Sequence, residues 1–524
     1  MKNRKPNNKA TSGKSSRPKK NNRRTYTPIS DALAQPQVFA DTELADGIRR
    51  HGLINLFAQA FRKLRRRDSE PLSGILLALL TWPILKASSI HCFCSELCQY
   101  LRGRKDDSQR RQDILYGVLG REDINWRQQS LALAQSVAKQ NDLGPVNRRA
   151  FVVDDSLKNR RGRKVEGASR HWDHTEGRTV FGHQVVEFGM AGETGYLPVD
   201  RQLFIGAKDA VEKPADKDFH DKRSAAARDM NRAKEECKHT MLRRMLKKAV
   251  GMGLKAKYLL GDAWFGCKEN IEAAVQNGLS AIFQMKRGFL QYWVGNPETG
   301  VGRYYTAKQL YVKYKRQLKR GDKNTPYKTC RIKAWLNLET NPNKEERWQE
   351  VILILSSANS DGSDSNWVIF LCTDMEARAE EVLAIYALRW SIEVYFKEIK
   401  QNFGFLAEQS GRYQFAYASI HLAALRYTLL FEAMLRSGGL SFGEMRDKQT
   451  GRLQVLSYAG LLWQLFRGII EGALDAIVES VGGETIDRVL GAIDQAVESF
   501  LNQALQIDSK LVQSQIRAES IGHL

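Results

Sequence analysis

Hydrophobic positions change their period along this chain. Between residues 40 and 140, Leu and Ala recur at helical spacing among Gln and Arg, the pattern of helices packed by one face. Near residue 145 the pattern shortens. "RRAFVVDDS", "RTVFGHQVVEFGM", "KAKYLLGDAWFG" and "LSAIFQMKRG" are compact β-branched and aromatic runs that read as strands, with a charged helical stretch at 218–250 among them. Strands alternating with helices predict an α/β domain. Three further strand-like runs follow, "YKTCRIKAWLN", "RWQEVILILSSA" and "NWVIFLCT". Helical periodicity then returns in "YALRWSIEVYFKEIK" and "YASIHLAALRYTLLFEAML".

The stretch from Tyr386 to Lys400 carries more than a core pattern. Read as one helix at about 100° per residue, it places Tyr386, Arg389, Glu393 and Lys400 within an arc of roughly 60°. Leu388, Ile392, Tyr395 and Ile399 fall on the opposite side. One face packs inward; the other presents a phenol, two cations and a carboxylate together. Lys397 lies beside that arc, where a solvated lysine and an extension of the polar face fit equally well.

Charge narrows the class of partner. The chain has 524 residues and a formal net charge of +22. A protein this basic points to a polyanion, nucleic acid first. Residues 1–28 hold ten Lys or Arg and no acidic residue, the composition of a disordered basic arm. "RKLRRR" (Arg62–Arg67) adds a second basic run. Residues 286–348 hold fifteen Lys or Arg against five acidic residues, with ten aromatics interleaved, a surface suited to phosphates and unstacked bases. From Glu471 onward the sign reverses, with nine acidic and three basic residues and an apolar stripe from Ile486 to Ala504 that suits docking on this chain or a second copy. The longest apolar run, "GILLALLTWPIL", is too short to span a bilayer. Seven scattered cysteines and no apolar leader predict a reduced, cytoplasmic protein. "HCFCSELC" lacks a second ligand pair at finger spacing, so a buried helix is expected there.

Three segments end in carboxylates. "AFVVDDS" closes with Asp154 and Asp155, "YLLGD" with Asp262, and the polar helix face exposes Glu393. Such a set can hold two Mg²⁺ ions, as phosphodiester chemistry requires. No Walker-type glycine loop is present, so no ATP requirement is expected.

Tyr386-x2-Arg389-x3-Glu393-x6-Lys400 resembles the Y-R-E-K signature of bacterial DDE transposases of the insertion sequence four family. "VVDDS" and "LLGDAWF" look like that family's two aspartate strands, and separations of 107 and then 131 residues fit its order. The resemblance covers roughly residues 145–430. It implies a ribonuclease H-like catalytic core interrupted by a β-rich insertion. The layout expected is a basic arm at 1–28, a helical N-terminal domain at 29–144 with possible DNA binding, core at 145–285 and 376–437, the insertion at 286–375, and a helical, possibly dimerising C-terminal region at 438–524. It also implies Mg²⁺- or Mn²⁺-dependent cutting of double-stranded DNA at transposon ends, strand transfer into target DNA, and a homodimer pairing two ends on the bacterial nucleoid. Carried over, the metal ligands and catalytic residues are Asp155, Asp262 and Glu393. Asp155 is preferred to Asp154 because the family's aspartate directly precedes Thr or Ser, here Ser156. Tyr386, Arg389 and Lys400, with Lys397, are expected to grip the DNA end. Trp293 or Trp335 is a guess for an aromatic that stacks a flipped base. A nuclease that cuts without joining, and a non-enzymatic DNA-binding derivative, are the alternatives. Among His171, His174 and His183, structural roles outweigh a contact in the site.

Overall fold

The structure, a computed structural model, describes residues 26–28, 43–61, 64–66, 72–97, 108–173, 176–214, 218–320, 327–341, 343–358 and 366–454, with isolated positions beyond. Nearly all of the basic arm, much of "RKLRRR", His174 and most of the acidic C-terminal stripe lie outside the described residues.

The fold is mixed α/β, built on a twelve-stranded sheet. Its strands are β1 (Ala150–Asn159), β2 (Ser169–Asp173), β3 (Arg178–Gly192), β4 (Gly195–Phe204), β5 (Tyr258–Gly261) and β6 (Ser280–Met285), then β7 (Gln291–Asn296), β8 (Val301–Thr306), β9 (Lys319–Arg320), β10 (Lys328–Asn337), β11 (Trp348–Ser357) and β12 (Trp367–Cys372). The path through the sheet is β8-β7-β10-β11-β12-β6-β5-β1-β3-β2, with β4 on β3 and β9 on β10. β1 runs antiparallel to β3 along its whole length. It runs parallel to β5 only over Ala150–Val152. Beyond Val152 that edge of β1 has left its β5 partner, and the two aspartates follow immediately. β7 to β12 extend the same sheet through the β12–β6 pairing.

Helices cover the sheet. The described helices used below are α1 (Glu43–Arg50), α2 (Leu53–Ala58), α3 (Leu72–Thr81), α4 (Ser108–Leu119), α5 (Trp126–Gln140), α6 (Ala225–Glu235), α7 (Lys238–Gly251), α8 (Lys268–Gln276), α9 (Ala307–Tyr314), α10 (Ala379–Ala387), α11 (Trp390–Asn402) and α12 (Tyr413–Ser437). α12 is buried along most of its length and packs against α1, α5 and β4. Its fully buried Arg426 donates to the backbone carbonyls of Leu79, Leu80 and Phe403. Its Glu432 accepts from Arg50 at 3.0 Å and meets His51 at 2.9 Å. The N-terminal helices are thereby tied to the sheet, and one continuous hydrophobic core runs through both. The segment read as a buried helix is a short helix, Ile90–Cys92, followed by a π-turn, Phe93–Leu97, with Cys94 buried.

The Tyr386–Lys400 stretch departs from a single regular helix. α10 ends at Ala387 and α11 begins at Trp390. Between them the amides of Leu388, Arg389, Ser391 and Ile392 each bond the carbonyl three residues back. That is a 3₁₀ tightening, which leaves Arg389 at the N-cap of α11. Ile392, Tyr395 and Ile399 are fully buried as the periodicity predicts, whereas Leu388, in the tight turn, is only half-buried.

Candidate active site

A cleft of about 890 Å³ opens where β1, β5 and α11 approach one another. Its lining includes Asp154, Asp155, Asp262, Arg389, Glu393, Lys397 and Lys400. Each carboxylate arrives by a different local device. Asp154 and Asp155 stand on β1 just past its pairing with β5. Asp262 follows β5 directly, and its carboxylate accepts from the amide of Trp264 at 3.0 Å, fixing a tight turn. Glycine is required on either side of that turn. A Cβ at Gly261 would lie 2.8 Å from the Phe283 ring, and one at Gly266 would lie 2.7 Å from the Gln284 carbonyl. Glu393 sits in the first turn of α11. That helix is anchored beneath the cleft by Tyr395, whose hydroxyl donates to Glu187 at 3.4 Å, while Glu187 is itself paired with buried Arg201 at 3.0 Å.

The adjacent aspartates face different partners. Asp154 takes Nη1 of Arg389 at 2.7 Å, and Nη2 of the same guanidinium reaches Glu393 at 3.0 Å. Arg389 therefore spans two of the carboxylates. Burial pushes the Asp154 carboxyl up to about 7, against the pull of Arg389, and the neighbouring charge of Asp262 adds to the rise. Asp155 instead accepts from Lys238 and from Gln184, each at 2.7 Å. Burial opposes the Arg389 charge, but Asp154 and then Tyr386 and Glu393 outweigh it and hold its pKa above the ordinary value. Tyr386 is half-buried against Phe370, its rings 4.6 Å apart, and burial pushes its phenol up to about 12. Lys397 and Lys400 keep solvent contact at the cleft wall. Desolvation, followed by the charge of Lys158, lowers the Lys400 pKa.

Hard carboxylate oxygens lining one cleft, with the charge of Asp262 adding to the burial that raises Asp154, are the donor set a divalent cation neutralises, so the residues fit Mg²⁺ or Mn²⁺. As they stand, no three His, Cys, Asp or Glu side chains among the described residues converge on a single ion position. Arg389 lies between Asp154 and Glu393.

Other expectations meet their surroundings here. Trp293 pairs across the sheet with Trp335 and packs on Tyr304 and Trp348, at ring distances of 5.0 and 6.2 Å, in the sheet of the second half rather than in the cleft lining. His183 is fully buried, with its ring nitrogen 3.0 Å from the Glu166 carbonyl, and burial pushes its pKa down to about 3. His171 lines the cleft, bonded to Ser169 at 2.8 Å, and burial pushes it down to about 4. Two cleft residues carried no sequence signal. Lys238 begins α7, and Trp264, half-exposed, stacks on His239 with ring centres 6.4 Å apart.

Residues 97–339 match the family model described as DDE superfamily endonuclease. The matched stretch contains β1 to β10, and with them Asp154, Asp155 and Asp262; it stops short of α11 and Glu393. Over those residues the chain is similar to a nuclease domain, on the two strands that deliver the cleft's aspartates. A comparison with curated proteins finds no match. No helix among the described residues is long and apolar enough to cross a membrane.

Proposed function

We propose that this protein is a DDE-type DNA transposase that cuts double-stranded DNA at transposon ends and joins the ends to target DNA. The observation that carries this reading is one cleft lined by carboxylates from two strand ends and a helix, with Arg389 joining Asp154 to Glu393. The match to DDE superfamily endonucleases over the aspartate strands supports it. Support for a ribonuclease H-like core comes from β1, which joins antiparallel β3 and β4 on one side to parallel β5 and β6 on the other.

In this reading Asp262 and Glu393 hold divalent metal with one residue of the Asp154–Asp155 pair. The preceding-Ser argument favours Asp155. The partners of the two side chains favour Asp154, which shares a guanidinium with Glu393 and feels the charge of Asp262. We take Asp154 as the ligand. When bound, Mg²⁺ or Mn²⁺ would activate the attacking oxygen and stabilise the leaving one. The chain's own residues do the rest. Arg389, with its planar fork, is matched to a phosphate of the DNA end once the carboxylates turn to metal. Lys397 and Lys400 extend that grip along the wall, and Tyr386 braces Arg389 from behind. Cutting hydrolyses a phosphodiester with water, which runs downhill, and joining exchanges one phosphodiester for another, so no nucleotide cofactor is needed. A homodimer pairing two ends, with the acidic C-terminal stripe as contact, completes the proposal.

The test is incubation of purified protein with end fragments and supercoiled target in Mg²⁺. Nicked ends plus joined products are expected. Nicks without joined products would leave a nuclease; binding without nicks would leave a DNA-binding derivative.

A further inference from the structure

Lys238 is placed where a lysine gains little stability. It is the first residue of α7, where the helix dipole disfavours a cation. Its side chain is largely enclosed, 13% exposed. The ammonium lies over two rings, 5.3 Å from the centre of Phe204 and 5.6 Å from that of Trp264. On the Trp264 ring a second ammonium, Lys286, lies at 4.4 Å. Among the described residues Asp155 is the one hydrogen-bond partner of Lys238, at 2.7 Å. An ammonium has three N–H donors, so two remain to be used. Asp155 in turn also accepts from Gln184 at 2.7 Å. A mostly buried ion pair of this kind is a poor source of stability. It is well suited to holding a desolvated charge ready at the wall of a cleft in which Arg389 is committed to two carboxylates.

We propose that Lys238 is a phosphate-contacting residue of this cleft: held by Asp155 between Phe204 and Trp264, its ammonium donates to a non-bridging oxygen of the DNA strand being cut. The proposal rests on the DNA-cutting reading. It assigns to Lys238, and through it to Asp155, a role distinct from metal ligation. The rings serve as a low-dielectric seat that keeps water from screening the charge.

The test is a cycle between side chain and phosphate. The nick made by wild-type protein is mapped on a duplex from the DNA flanking the gene. Three versions are then made, each with one uncharged methylphosphonate, at the cut phosphate or one step to either side. Gel-shift affinities are measured in EDTA for wild type and Lys238→Met, which keeps the length and ring packing. On natural DNA the variant is expected to bind about tenfold more weakly. At one of the three positions the methylphosphonate should cost wild type about the same factor and cost the variant almost nothing, a non-additivity of about tenfold. Lys238→Arg should retain most of that coupling and Lys238→Gln should lose it. These two carry the cycle if thermal unfolding shows the Met variant to be misfolded. Strictly additive effects at all three positions, with wild type nicking normally, overturn the role of Lys238 and leave the DNA-cutting reading intact. Wild-type protein that neither binds nor nicks the duplex overturns both.

Discussion

Neighbouring aspartates on one strand should respond to the same substitution with opposite changes in stability. Asp154 is held at about 7 rather than near 3.8, chiefly by burial. The folded protein keeps this proton up to about pH 7, while the unfolded chain releases it near 3.8. Ionised Asp154 therefore costs stability, progressively as pH rises through that window and fully above it. The cost is on the order of 4 kcal/mol. Asp154→Asn removes it; the attraction to Arg389 is already contained in that net figure, and the bond from Arg389 to Glu393 remains. At pH 8 the variant should gain up to about 4 kcal/mol. At pH 5, where folded wild-type Asp154 is protonated but the unfolded chain is already ionised, the gain should shrink to roughly 1.5 kcal/mol. Asp155→Asn strands enclosed Lys238 and should lose about 1.5–3 kcal/mol at both pH values. Urea unfolding of the three proteins at pH 5 and pH 8 reads this directly. The same proteins should separate by function. Asp154→Asn should lose nicking entirely and bind Mn²⁺ weakly in titration calorimetry. Asp155→Asn should bind Mn²⁺ normally and nick about ten- to hundredfold more slowly at saturating protein, because Lys238 has lost its anchor. Asp154→Asn destabilised at pH 8 as much as Asp155→Asn would refute the electrostatic reasoning. Full nicking by Asp154→Asn would return the metal to Asp155.

Other residues of the site make simpler demands. Glu393→Gln keeps shape and removes a negative charge beside phosphate, so gel-shift affinity for an end fragment should hold or tighten while nicking disappears. Lys400→Ala should weaken end binding roughly tenfold to hundredfold, from the loss of one charged contact, with nicking returning at high protein concentration. The affinity for DNA should fall with salt on a log–log slope on the order of −5 or steeper, and a flat slope would count against a nucleic-acid partner. Removing the chain beyond Ile470 should leave binding to single ends and abolish paired-end complexes on native gels.

How far the chain could be read without coordinates follows from what each segment must satisfy. Strands apolar on both faces, such as Phe151–Val153 and Ile352–Leu355, betray themselves because nothing but burial explains them. β4 does not, because its middle carries Asp200, Arg201 and Gln202, all buried. Their partners are Arg127, Glu187 and the carbonyl of Asp229, which lie far away in sequence. A strand whose buried positions are charged has no hydrophobic pattern to read. The helical arc of Tyr386, Arg389, Glu393 and Lys400 was visible, yet the break at Leu388–Arg389 involves no Gly or Pro and leaves no local mark. The Asp154–Asp155 choice was undecidable from alternation, since β1 parts from β5 just before them and both side chains reach the cleft. Lys238 sits in "ECKHTML", where a lysine is unremarkable until Phe204 and Trp264 are folded around it.

That break in the helix bears on how the cleft works. α11 cannot easily shift, because Ile392, Tyr395 and Ile399 are buried and Tyr395 is bonded to the Glu187–Arg201 pair. Glu393 is thus fixed relative to β1 and β5. Arg389, at the N-cap of α11, reaches both Glu393, four residues on along the helix, and Asp154, a strand residue 235 positions away. On the proposed reading, the pinned helix and the strand ends carry the acids, and the long side chain of Arg389 carries the charge that would exchange carboxylate for phosphate. A carboxylate on the pivot and an arginine on the rigid helix would reverse this, leaving metal affinity at the mercy of side-chain freedom. Placing the acids on strand ends and a pinned helix keeps their spacing a property of the core, while the proposed contact of Arg389 to DNA would remain adjustable.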